Sequence, residues 1–151
     1  MFLDWLLASF HHLAVFSLAG ILAAELTLTA TIIDDRTALR LARIDAWFGL
    51  MAAVALAAGV LRIFLAAKGL NYYVANAFFW IKMTLFVTVG IISAAPTYAF
   101  ISWRREVRAN ASFRPPAKDV ARLRKILYTE AALFALIPVA AAAMGRGYGI
   151  Y

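Results

Sequence analysis

The chain contains no cysteine, which excludes disulfides, thiolate metal sites and cysteine-held iron–sulfur clusters. It has little charge, with Asp, Glu, Lys and Arg making up 15% of its 151 residues. Its two histidines, His11 and His12, are adjacent and too few for a histidine-rich metal site. It has no P-loop, no dinucleotide fingerprint, no zinc-protease histidine pair and no nucleophile elbow, so the common nucleotide-dependent and hydrolytic chemistries have no footing in it. It also lacks internal repeats, low-complexity tracts and the period-2 alternation of a membrane β-barrel.

What the chain does have is apolar residues, at 65% of the total. Soluble domains carry about 45–50%. They come in blocks, and the charges gather between the blocks, as in a chain solvated by lipid. The blocks fall at about 3–33, 45–67, 77–103 and 126–144, the last extending to a helix over 121–144. Ala and Leu dominate them. A helix rises about 1.5 Å per residue, so each is long enough to cross a hydrocarbon layer of about 30 Å. The expectation is an all-α, single-domain, four-helix transmembrane bundle. The start, Met-Phe-Leu-Asp-Trp, lacks the positive charge of a cleavable signal, so the first block is read as a retained helix.

The net charge of +7 raises the question of nucleic acid, but its distribution points to lipid instead. Eight of the 15 basic residues lie in a segment, 104–125, flanked by apolar blocks, and Pro115-Pro116 breaks any helix within it. Such basic stretches contact anionic headgroups and set topology. Arg36, Arg40 and Arg43 join them on one side, making 11, against Lys68 and Arg146 on the other. The positive-inside rule then places both basic loops in the cytoplasm and both termini outside. Trp5, Tyr72, Tyr73 and Tyr148 would form an outer aromatic belt, and Trp47, Trp103 and Tyr128 an inner one. Pro96 and Pro138 fall within the third and fourth helices, where kinks are expected.

Ionisable residues inside the blocks are costly, at about 2.5–3.5 kcal/mol near the bilayer centre. Asp4, His11, Leu18 and Glu25 recur every seven residues and share one face of the first helix, which should point at the other helices. His12 points about 100° away, so His11 ranks first as the inward histidine. Glu25 must be protonated or paired, with Arg43 or Arg104 within reach and the pair preferred, and Glu130 is expected to pair with the run Arg122 to Lys125. Arg62 and Lys82 each sit about 7.5 Å inside the outer boundary and could snorkel. Together with His11 they bring three helices to one depth. The face of the second helix that carries Arg62 also carries Ala52, Ala55, Ala58 and Gly59. That stripe allows either a close helix crossing or room for a flat ligand. A histidine beside two cations suits a ring with anionic groups, such as a haem with its propionates or a quinone. Close packing without a ligand is the other reading of the same residues.

The segments Asp4-Trp5-Leu6-Leu7-Ala8, His11 to Phe16, Leu61-Arg62, Lys68-Gly69, Tyr72-Tyr73, Phe79-Trp80-Ile81-Lys82-Met83 and Arg146-Gly147-Tyr148-Gly149 resemble the domain-of-unknown-function 2214 family of small bacterial membrane proteins. The likeness covers nearly the whole chain and implies four membrane helices without a settled function. A weaker likeness reaches the HemJ-type membrane protoporphyrinogen oxidases, which bind haem. It sets His11 beside their first-helix histidine and Lys82 beside their third-helix lysine. Those proteins place a second histidine shortly before that lysine, where this chain has Trp80. The departure leaves haem b bound through His11 alone, or no haem.

Three functions follow as expectations. One is a haem- or tetrapyrrole-binding redox protein using His11, Arg62 and Lys82, with His12 as a further candidate. The second is a structural or accessory subunit, self-associating or joined to partner membrane subunits. The third is a small oligomeric transporter, for which Glu25 and the two proline-bearing helices speak.

Overall fold

The computed structural model describes residues 2–65, 69–110 and 112–150. Among these the fold is all-α, with five helices: α1 (Phe2–Leu28), α2 (Asp35–Leu65), the short α3 (Gly69–Val74), α4 (Ala77–Ala109) and α5 (Ala117–Gly145). All except α3 are long and apolar enough to cross a membrane. Only 11–22% of each spanning window is buried within the protein, so these helices are apolar on their outward faces too, as lipid requires.

The long helices run up and down. α1 packs on α2, α2 on α4, α4 on α5, and α5 closes back on α1, while the diagonal pairs α1/α4 and α2/α5 lie further apart. The N-terminus, α3 and the C-terminal tail meet at one end, here called the terminal end. The connections 29–34 and 110–116 lie at the other, the basic end.

Local chemistry sets the helix ends. The Thr29 hydroxyl and backbone N–H both donate to the Glu25 carbonyl, at 2.7 and 2.9 Å, where α1 stops. Asp34 caps α2 by accepting from the Thr37 N–H at 2.8 Å. The Thr37 hydroxyl and N–H hold the Asp34 carboxyl below its ordinary value. Asn76 caps α4 by accepting from the Phe78 N–H at 2.9 Å. Pro115-Pro116 ends the connection, and α5 begins at the next residue, where a proline just before a helix costs nothing. Pro96 and Pro138 sit inside uninterrupted helices.

Several boundaries differ from those expected of the sequence. α1 ends at Leu28 rather than near 33, and α2 starts at Asp35 rather than near 45. The helix of 77–103 continues to Ala109, and that of 121–144 starts at Ala117. The basic segment 104–125 is therefore mostly helix: Arg104, Arg105 and Arg108 end α4, and Lys118, Arg122, Arg124 and Lys125 open α5, leaving Arg114 in the connection. Arg36, Arg40 and Arg43 likewise lie on α2. Hydropathy marks where lipid ends, whereas these helices continue beyond it. The segment 68–73 reads from the sequence as a short turn; Gly69–Val74 form α3 instead, and Lys68 lies outside the described residues. Two aromatics expected in the interfacial belts are buried instead: Tyr73 stacks near Phe79, and Trp103 packs edge-on to Phe100. Trp5, Trp47, Tyr128 and Tyr148 are exposed as a belt requires.

The continuous core lies towards the basic end. It joins Leu18 and Leu22 of α1, Leu41 and Phe48 of α2, Phe100 and Trp103 of α4, and Leu123 and Leu127 of α5. At the terminal end no residue of α1 before Ala14 is buried, and the helices there are tied by polar contacts.

Candidate functional site

The seven-residue stripe of α1 faces the bundle. Leu18 and Glu25 are buried, and Asp4 and His11 are half-buried. His11 leans across to α2, with Nδ1 2.9 Å from the Ala55 carbonyl oxygen. A carbonyl only accepts, so this nitrogen carries the proton and Nε2 keeps its lone pair. The ring lies against Gly59, where an added Cβ would meet His11 Cε1 at 3.4 Å. The small-residue stripe of α2 is thus used at this point for a close approach by an imidazole.

Arg62, one turn further along α2, donates from Nε to Asp4 Oδ1 at 3.3 Å. Lys82 of α4 is half-buried, with Nζ 5.5 Å from the centre of the Phe79 ring, and both cations lie within electrostatic reach of His11. His11, Arg62 and Lys82, expected at one depth on three helices, are brought together at the terminal end. The Asp4 contact to Arg62 is additional; the seven-residue stripe put Asp4 on the right face without naming its partner. His12 points elsewhere: it is exposed, with Nδ1 2.6 Å from the Ala8 carbonyl of its own helix. Trp80 is exposed as well and donates to the Val74 carbonyl at 3.1 Å.

One imidazole nitrogen is available and oriented, and two cations stand near it. An apolar groove of about 500 Å³ between α1 and α2, lined by Gly20, Ala24 and Trp47 among others, lies on the outer surface and does not include His11.

The terminal end is closed by a latch absent from the sequence reading. Asn76, fully buried, accepts from Phe78 N–H and donates to the Tyr148 carbonyl at 3.0 Å. The Ala77 N–H donates to the Gly149 carbonyl at 2.8 Å, and Tyr72 donates to the Met144 carbonyl at 2.7 Å. Gly149 has φ +76°, and a Cβ there would fall 2.8 Å from Phe78 Cδ2, so the tail must carry glycine where it crosses α4. An Asn just before an apolar block was the visible cue.

Towards the basic end the ion pairs expected for Glu25 and Glu130 do not form. Arg62–Asp4 is the one ion pair among the described residues. Glu25 of α1 and Glu130 of α5 are 2% and 1% exposed, and they face one another and Asp45 of α2. Arg43, expected within reach of Glu25, is exposed. Asp45 accepts from the Thr97 hydroxyl of α4 at 2.8 Å. Asp45 looked like the edge of an apolar block, and only the tertiary fold shows it inside the bundle.

A family model described as "Predicted membrane protein (DUF2214)" matches residues 3–149. No curated protein and no solved structure matches the chain. The match spans all four long helices and the latch, and the chain therefore belongs to the DUF2214 family of membrane proteins.

Proposed function

We propose that this protein lies in the inner membrane of a bacterium, with its basic end in the cytoplasm and its termini outside. We further propose that it binds a haem or related tetrapyrrole at the terminal end, in a redox role. The orientation rests on the 11 basic residues in the two sequence segments on one side of the blocks, against Lys68 and Arg146 in those on the other, with Arg62 and Lys82 inside the blocks, and those 11 also suit anionic lipid. Because the chain has no cysteine, single cysteines placed near the termini can be labelled without background. An impermeant reagent applied to intact cells should reach them.

One observation carries the ligand reading: the His11–Ala55 hydrogen bond. Holding Nδ1 on a backbone carbonyl fixes the ring and its tautomer, which is how metal-binding histidines are commonly supported. His11 would supply the axial nitrogen, and Arg62 and Lys82 the partners of the propionates. Trp80 leaves the histidine axial set at one. Haem bound there would supply one-electron chemistry. The test is a reduced-minus-oxidised visible spectrum of protein made with ample haem and purified in mild detergent. The proposal expects a haem spectrum that is lost in His11→Ala and kept in His12→Ala. A flat spectrum, or one indifferent to His11→Ala, would overturn it.

The seating of His11 on Gly59 supports a second reading, in which the imidazole is a packing device in an accessory or self-associating subunit. That reading expects no chromophore and co-purification with partner chains.

A further inference from the structure

Three carboxyl groups on three helices, Glu25, Asp45 and Glu130, face one another inside the bundle. All three residues are buried, at 2%, 6% and 1% exposure. Oε1 of Glu25 and Oε2 of Glu130 are buried with no hydrogen-bond partner. Natural proteins rarely leave such atoms orphaned, and the cost is highest for charged groups.

Three negative charges cannot share this setting unaided, because burial and mutual repulsion act in the same direction. A cation from the protein is not available. Towards this end α2 carries Arg36, Arg40 and Arg43, α4 carries Arg104, Arg105 and Arg108, and α5 carries Lys118, Arg122, Arg124 and Lys125. Among the described residues none of them lies within ion-pair distance of a carboxylate, and Arg43 is exposed. The Nε atoms of Arg104 and Arg124 are themselves buried without partners. Among the described residues Thr97 supplies the one donor, to Asp45. A shared metal ion does not fit either, since no three Asp, Glu or His side chains among the described residues converge closely enough to hold one. Protons are what remains to neutralise the cluster.

We propose that Glu25, Asp45 and Glu130 form a proton-binding site in the bundle core, with the protons carried on Glu25 and Glu130. Asp45 differs from the other two because the Thr97 hydroxyl donates to it and stabilises its charged form. The three carboxyls come from three helices, so any relative shift of α1, α2 or α5 changes their spacing. Proton occupancy is thereby tied to bundle geometry. The site is about 21 Å from His11 along α1, by the helical rise, and independent of any ligand there.

Infrared spectroscopy of the full chain in lipid vesicles at neutral pH, in H₂O and D₂O, reads the protons directly. The wild type should show protonated-carboxyl C=O bands that shift in D₂O. Glu25→Gln should remove one band and Glu130→Gln another, while the retained Glu keeps its own. Each Gln is a neutral isostere of a protonated Glu, so each variant should fold with an unchanged or higher unfolding temperature. The absence of protonated-carboxyl bands in the wild type would overturn the proposal. So would bands that survive both substitutions, or failure of the Gln variants to fold, since either would mean that negative charge is required there.

Discussion

Replacing Asn76 by alanine removes two hydrogen bonds at once, and the structure gives the size of each loss. The Phe78 N–H loses its helix cap, worth about 1 kcal/mol. The Tyr148 carbonyl loses its amide donor beside a fully buried side chain, and an unsatisfied buried acceptor costs about 1–3 kcal/mol. The sum is about 2–4 kcal/mol. Asn76→Ser separates the two parts. A serine can still cap Phe78 but is too short to reach Tyr148, so it should cost about 1–3 kcal/mol. The assay is denaturant unfolding in detergent micelles, joined to amide exchange on the tail 146–150. Both variants should speed exchange in the tail, because the Ala77–Gly149 bond and the Asn76–Ile150 bridge depend on the same register. An alanine variant within about 0.5 kcal/mol of wild type, the range of an ordinary surface change, would refute the latch. So would a tail whose exchange does not change.

Three further outcomes follow from the geometry. Gly59→Ala should be tolerated, because its Cβ meets His11 at an ordinary contact distance, whereas Gly59→Leu should drive the imidazole off the Ala55 carbonyl and abolish ligand retention in a bundle that still folds. Equal ligand retention in the two variants would contradict this. Thr97→Ala should cost about 1–3 kcal/mol in unfolding by orphaning Asp45, with Thr97→Ser close to wild type; similar costs for both would point to lost packing rather than a lost hydroxyl. Asp34 carries a lowered pKa, held down first by the Thr37 hydroxyl and then by its N–H. Its contribution to the start of α2 is therefore present above the ordinary value of 3.8 and is lost as pH falls through the lowered one. The Thr37 amide chemical shift should titrate with a midpoint below 3.8, and a midpoint above it would contradict the cap.

The sequence carried the bundle well because the bilayer imposes strong rules. Block length, charge placement and the spacing of Asp4, His11, Leu18 and Glu25 each report a constraint that acts along one helix. They rank His11 above His12 as the inward histidine, and in the structure His11 leans onto α2 while His12 is exposed. Helix ends were harder, since Arg36, Arg40 and Arg43 read as loop when hydropathy is the guide, yet a solvated helix turn tolerates arginine well. Contacts between helices were the least legible. Glu25 was matched to arginines because opposite charges at similar depth are the cheapest guess. The rotation of α2 turns Arg43 outward and Asp45 inward, and only that rotation brings three carboxyls together. The Asn76–Tyr148 contact has no local sequence signature, because its partners lie 72 residues apart.

The most direct test of the proposed ligand site uses the two histidines themselves. Nitrogen-15 NMR of histidine-labelled protein shows only two imidazoles, His11 and His12, each assignable by substitution. Both should carry the proton on Nδ1, since each Nδ1 faces a backbone carbonyl. Addition of haemin should perturb the Nε2 signal of His11 and leave His12 unchanged. If His11 is unmoved by haemin, or if His12 responds in its place, the account of the terminal end as a tetrapyrrole site is wrong.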